Sequence, residues 1–320
     1  MKAVQTFRPE KISRRSELVL WALALVSLAV LVVLIRSGSG ISAWELAFVG
    51  VMLLSAGGIT LVNWVDRQTV LTLNAKPTME GAREVTVVPV PGEVGLRQRD
   101  WVEGNRRKVD ELSGGKLAYV WVPDTGFGGH TYFTRYYFAQ QDKKGAILDE
   151  RFNHGGSIAD YMVDLMSRKL IGYFNNPVGD KQPFTAPNAA IWGPKVLIIN
   201  EMAGSGGDML PYMFRHLEIG PMIGTRTWGG LVGIWDVPSL IDGGYITAPR
   251  GGFYTTEGEW RVENEGVAPD IFVEQDPKLV AAGHDPQLER AVEEALKLLE
   301  ANPFEILPQP ADPVRVRRPE

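Results

Sequence analysis

An α/β protein is predicted from three observations. Apolar runs of strand length alternate with stretches of helical period between residues 101 and 217. Successive runs are far enough apart for βαβ crossovers. Glycine-rich turns follow two of the runs, at 153–157 and 203–207. With 320 residues and 45% hydrophobic content the chain can bury a sizeable core, which excludes disorder as its general state.

The first 75 residues are different material. Residues 18–35 form an apolar run broken by Ser27, and 46–65 form a second with Asn63 near its end. Each is long enough to cross about 30 Å of hydrocarbon at about 1.5 Å per residue. Two spanning helices are expected, and a cleaved leader is disfavoured because the first run is long, closes on no small-residue cleavage site and is followed by a second. Lys2, Arg8, Lys11, Arg14 and Arg15 precede the first run, Arg36 lies between the two and Arg67 follows the second. Both ends of the hairpin are therefore expected inside, with everything after residue 75 in the cytoplasm.

Residues 65–75 then suit a strand, and 76–82, with Pro77 and Gly81, suit a linker. A soluble domain is expected over 83–303. Within it, 101–112 reads as helix, 116–122 as strand, 131–141 as helix and 145–151 as strand. Then 157–166 reads as helix, 194–200 as strand and 206–217 as helix, with a kink expected at Pro211. The stretch 285–302 places Leu288, Val292, Ala295 and Leu299 on one stripe, a packing helix. Residues 304–320 are proline-rich and expected to be disordered. Trp228, Trp235 and Phe253 have two readings, the floor of a groove or core packing, and core packing is the one expected.

Composition narrows the chemistry. The net charge is −5, and no basic stripe occurs outside the N-terminus, so a nucleic-acid partner is excluded. There is no cysteine, and the four histidines are scattered without metal-ligand spacing, so neither thiolate chemistry nor a metal or other cofactor is expected.

The stretch NEMAGSGGDML, 200–210, carries the strongest signal. A strand passes to a helix through one serine among four tiny residues. Ser205 can serve merely as a helix cap, but the flanking glycines also let another molecule approach the backbone. The amides at a helix start lack partners, and the helix contributes about half a positive charge there. Gly206 N–H is one candidate oxyanion donor. A second would come from RFNHGGS, 151–157, where Gly155 and Gly156 follow another strand, the choice between them being open. Paired donors of this kind stabilise a transition state by about 3 kcal/mol each, and acyl transfer is the reaction class they suit.

Several ordered segments resemble the C-terminal catalytic region of tricorn proteases, within the tail-specific serine peptidase family: residues 96–125, LDERFNHGGSIADYMVD, residues 193–215, GTRTWGGLVG and WRVENEGVAPD. The likeness covers about 83–303. It implies a ClpP/crotonase-like core of βαβ units, peptide substrates, a possible homo-oligomer, Ser205 as nucleophile, Gly155 and Gly206 as oxyanion donors, and Glu263 as the carboxylate that orients a serine–histidine pair. Tail-specific relatives activate their serine with a lysine after the next strand, where this chain has Gly230. Full-length tricorn proteins draw a Ser–His pair from upstream, where this chain has the two apolar runs.

A histidine is then the expected base. His130, in the glycine turn GFGGHTYF, is the first candidate and His154 the second; His216 and His284 lie late in one helix and before another. Asp208 is expected to support the first helical turn. Three functions fit: a membrane-tethered serine peptidase, a peptide-binding pseudoenzyme or subunit that needs a base from a partner, and a crotonase-type acyl-CoA enzyme.

Overall fold

The computed structural model describes residues 22, 25, 65–74, 78–179, 182–235 and 237–313. Apart from Ala22 and Leu25, the two apolar runs expected as membrane helices lie outside the described residues up to Trp64. Among the described residues no helix is long and apolar enough to cross a membrane. The chain divides into two units, 1–98 and 99–320.

In the first unit, β1 (Thr69–Leu73) pairs antiparallel with β2 (Arg83–Val87), Leu71 opposite Val85. Of residues 76–82, expected as a linker, 78–82 belong to the connection of this hairpin, and 76 and 77 lie outside the described residues. Its signal is weak because the strands are largely exposed, so neither face needs a strict apolar alternation.

The remaining elements follow in order: α1 (Val94–Leu112), β3 (Leu117–Trp121), α2 (Phe127–Ala139), β4 (Gly145–Asp149), α3 (Ala159–Met166), β5 (Gly172–Phe174), β6 (Phe184–Ala186), β7 (Lys195–Ile199), α4 (Gly206–His216), β8 (Met222–Gly224), β9 (Ile271–Phe272), α5 (Pro277–Ala281) and α6 (Pro286–Ala301). Five strands form one sheet in the order β3-β4-β7-β8-β9, every pair parallel. β5 and β6 form a separate antiparallel pair.

All residues of β3, β4 and β7 are buried. That is the condition of a parallel sheet covered on both faces, and it is why these strands read as continuous apolar runs. Ala118, Val120, Leu148, Leu197 and Ile199 pack with Phe133 and Tyr137 of α2, Met162 of α3 and Phe214 of α4. Tyr119, Ile147, Val196 and Ile198 face the other way, onto Val102 and Val109 of α1 and Leu288, Val292 and Ala295 of α6. Parallel strands put all their C-terminal ends at one edge, and the loops 122–126, 150–158, 200–206 and 225–232 meet there.

Two expectations need correction. α2 starts at Phe127, four residues early, because the Asp124 carboxylate accepts the Gly126 and Gly129 amides at 2.7 and 2.8 Å. His130 is thus in a helical first turn, not a mobile loop. Trp228 and Trp235 are 64% and 58% exposed, so neither is core; Phe253 is partly buried and packs edge-on against Tyr212. α4 continues as helix through Pro211.

Candidate active site

Ser205 stands where β7 passes into α4, with φ 57° and ψ −115°. A non-glycine residue is rarely held there, and the surrounding bonds show what holds it. Its N–H donates to Asp208 Oδ2 at 2.8 Å. Asp208 is fully buried and also accepts Thr227 Oγ1 at 2.5 Å, Gly229 N–H at 2.8 Å and Gly230 N–H at 3.1 Å. One carboxylate thus ties the Ser205 turn to the loop after β8. Trp228 N–H adds a bond to Ala203 O at 2.8 Å. Its ring lies against Gly204, where a Cβ would come within 2.5 Å of it.

The turn after β4 meets Ser205 from the other side. A Cβ built on Gly155 would stand 2.7 Å from Ser205 Cβ, 2.9 Å from Gly204 O and 3.1 Å from Gly206 N. Asn153 organises this turn. Its Oδ1 accepts the Gly155 amide at 2.9 Å, its Nδ2 reaches Glu150 Oε2 at 3.3 Å, and its carbonyl accepts the Gly204 amide at 3.1 Å. Behind the turn, buried Arg151 pairs with Asp149 at 2.7 Å and Asp285 at 2.9 Å, anchoring it to the start of α6.

Glu150 is fully buried, and its Oε1 has no hydrogen-bond partner. Burial first, and then the negative charge of Asp208, pushes its carboxyl far above the ordinary carboxylate range. Its place behind the turn thus favours the neutral over the charged form.

The Gly155 amide, expected as an oxyanion donor, is spent on Asn153. Among the described residues, the amides of Gly156 and Gly206 have no acceptor. The two glycines lie against each other: a Cβ on Gly206 would stand 2.7 Å from Gly156 N and 2.4 Å from Gly156 O. Two unpaired amides at the positive end of α4, next to a strained serine, are what an anion would need.

Glu263 Oε2 accepts the Leu231 and Val232 amides, each at 2.6 Å, which fixes the loop after β8. The His130 ring lies edge-on to Tyr161 at 6.1 Å, His216 stacks on Tyr212 at 6.4 Å, and His284 Nδ1 is 3.3 Å from Glu289. His154 is exposed, and its backbone N–H bonds Pro123 O at 3.0 Å. None of the described hydrogen bonds joins a histidine or lysine to Ser205. Thr125, Asn153 and Thr227 were not anticipated. Asn153 before two glycines was a usable signal, as was Asp208 three residues after a serine cap, the capping-box spacing.

Residues 116–273 match the sequence profile of peptidase family S41. The chain is similar to the tricorn protease of Thermoplasma volcanium, 40% identical over 211 residues, 66% of this chain and 20% of that protein. It is also similar to tricorn protease homolog 1 of Streptomyces coelicolor, 37% identical over 276 residues, 86% of this chain and 25% of that one. The crystal structure of the tricorn protease superposes with a TM-score of 0.69 at 34% identity, covering 75% of this chain and 23% of the other. The chain thus spans about a fifth to a quarter of the length of the curated relatives it matches.

Proposed function

We propose, from the premise that residues 116–273 belong to peptidase family S41, that this protein hydrolyses peptide bonds through an acyl-enzyme on Ser205. The observation that carries the proposal is the convergence of two glycine turns on Ser205 with the Gly156 and Gly206 amides unpaired beside it. The Ser205 oxygen adds to the scissile carbonyl carbon, and the carbonyl oxygen becomes an anion held by those two amides. The C–N bond then breaks, the amine leaves with the serine proton, and water cleaves the ester to release the acid and restore Ser205.

The proton needs an acceptor, since an unassisted serine is a weak nucleophile. Among the described residues no hydrogen bond joins the ring of His130, His154, His216 or His284 to Ser205; the His284 ring faces Glu289 at 3.3 Å, and His130 and His216 make ring contacts with Tyr161 and Tyr212. This favours the subunit reading, in which the base reaches Ser205 from a second chain on assembly. Glu263 then acts by shaping the 231–232 backbone beside the site. The apolar runs 18–35 and 46–65 would tether the domain to a membrane on its cytoplasmic side, which fractionation of the intact chain tests.

A fluorophosphonate probe tests the nucleophile. Labelling of the full chain that vanishes in Ser205→Ala is expected, because removing a catalytic serine costs on the order of a million-fold in turnover. No labelling of the parent at any concentration or pH overturns the proposal. Labelling that rises more steeply than linearly with protein concentration identifies the base as a partner's.

A further inference from the structure

Thr125, in the loop after β3, is fully buried, and its Oγ1 has no hydrogen-bond partner. Its backbone is fully used: the N–H donates to Gly155 O at 2.9 Å, and the carbonyl accepts Ile158 N–H at 2.8 Å. Thr125 is therefore stitched to both ends of the turn that carries Gly156. Its side chain points the other way, to α4. A Cβ built on Gly206 would stand 1.9 Å from Thr125 Oγ1. With a carbon–carbon bond of about 1.5 Å, Oγ1 lies no more than about 3.4 Å from Gly206 Cα. The hydroxyl fills the place of the side chain that residue 206 lacks, beside the two unpaired amides.

A buried hydroxyl without a partner lowers stability. Valine is nearly isosteric, its methyl only slightly larger than the hydroxyl, and would avoid that cost, so stability alone does not account for threonine here. Size does. Carbon pairs settle at about 3.5–4.0 Å, so a methyl in place of Oγ1 would push Gly206 away from Gly156 by several tenths of an ångström. We propose that Thr125 is a positioning residue of the oxyanion pocket, its hydroxyl oxygen being the spacer that sets the separation of the Gly156 and Gly206 amides. This rests on the acyl-transfer reading of Ser205.

The test uses the full chain with the variants Thr125→Val, Thr125→Ser and Ser205→Ala. Thr125→Val is expected to slow the maximal rate of fluorophosphonate inactivation by about 10–100-fold, the scale of a small misplacement, with the half-saturating probe concentration unchanged. Its melting temperature stays level or rises. Thr125→Ser, which keeps the oxygen, restores the rate while melting lower for want of the methyl. In crystals of Thr125→Val the distance between Gly156 N and Gly206 N should widen. A Thr125→Val protein as fast as the parent, or one with the two amides unmoved, overturns the assignment. Labelling of Ser205→Ala as strong as that of the parent overturns instead the reading on which it rests, and the amide separation alone then decides the role of Thr125 as a spacer.

Discussion

Gly155 and Ser205 are packed so closely that position 155 has no room for a side chain: a Cβ there would stand 2.7 Å from Ser205 Cβ and 2.9 Å from Gly204 O. The backbone of Gly155 is also at φ +83°, a conformation that L side chains rarely adopt. Two constraints of different origin thus select glycine at one position. They do so because the turn after β4 lies directly on the serine rather than beside it.

Gly155→Ala should leave the sheet intact and separate the two turns. A shift near 1 Å at a reacting centre costs about a hundredfold in rate. The expected outcome is a fall of that order in fluorophosphonate labelling with far-ultraviolet circular dichroism unchanged. Labelling at the parental rate would mean that the close packing of 155 on 205 is irrelevant to the chemistry.

Asp208→Asn asks what the buried carboxylate does. Four donors converge on its two oxygens: the amides of Ser205, Gly229 and Gly230 and the Thr227 hydroxyl. An amide side chain replaces one accepting oxygen with a donor, so at least one backbone N–H then faces another N–H. An unmet buried group costs about 1–3 kcal/mol. A loss of stability in that range by urea unfolding, with a larger loss of labelling, is expected. Labelling that falls only in proportion to the unfolded fraction would limit Asp208 to stability.

Much of this was readable from the chain because the physics was local. β3, β4 and β7 are buried on both faces, so their composition is uniformly apolar and survives inspection without a partner strand. The Ser205 turn announced itself because close approach and positive φ both demand small residues. What escaped depended on distance along the chain. Glu263 meets the amides of residues 231 and 232, and nothing near Glu263 shows that the encounter occurs. Gly155 and Gly156 are indistinguishable as letters, and only the Asn153 side chain, which takes one amide and not the other, separates them. His130 was misplaced because glycines suggest a loop until Asp124 is seen capping their amides.

Lys195 opens β7, the strand that delivers Ser205, with 6% of its surface exposed and its Nζ bonded to Gly193 O at 3.2 Å. Burial depresses its ammonium pKa to about 8. The unfolded chain holds this proton up to about pH 10.4, so between the two values it binds more protons than the folded chain and stability rises with pH. Below pH 8 the full penalty applies, on the order of 3 kcal/mol at about 1.4 kcal/mol per pH unit. Lys195→Met should therefore be more stable than the parent at pH 7, with the advantage shrinking towards pH 10. A difference that stays flat across that range would show that the ammonium is solvated.

Ser205→Gly separates strain from chemistry. At φ 57° and ψ −115° the serine backbone is held in a sparsely populated region, a cost of about 1–3 kcal/mol that glycine does not bear. Glycine loses roughly 0.5–1 kcal/mol more in conformational entropy on folding, so a net gain of about 1 kcal/mol is expected. Ser205→Ala keeps the Cβ and hence the strain, and should match the parent in stability. Both variants lose labelling. Urea midpoints in the order Gly above Ala and parent would identify position 205 as a place where backbone energy is spent to present a hydroxyl. A glycine variant no more stable than the alanine one would mean that the Asp208 and Gly155 contacts, not the serine, define this backbone.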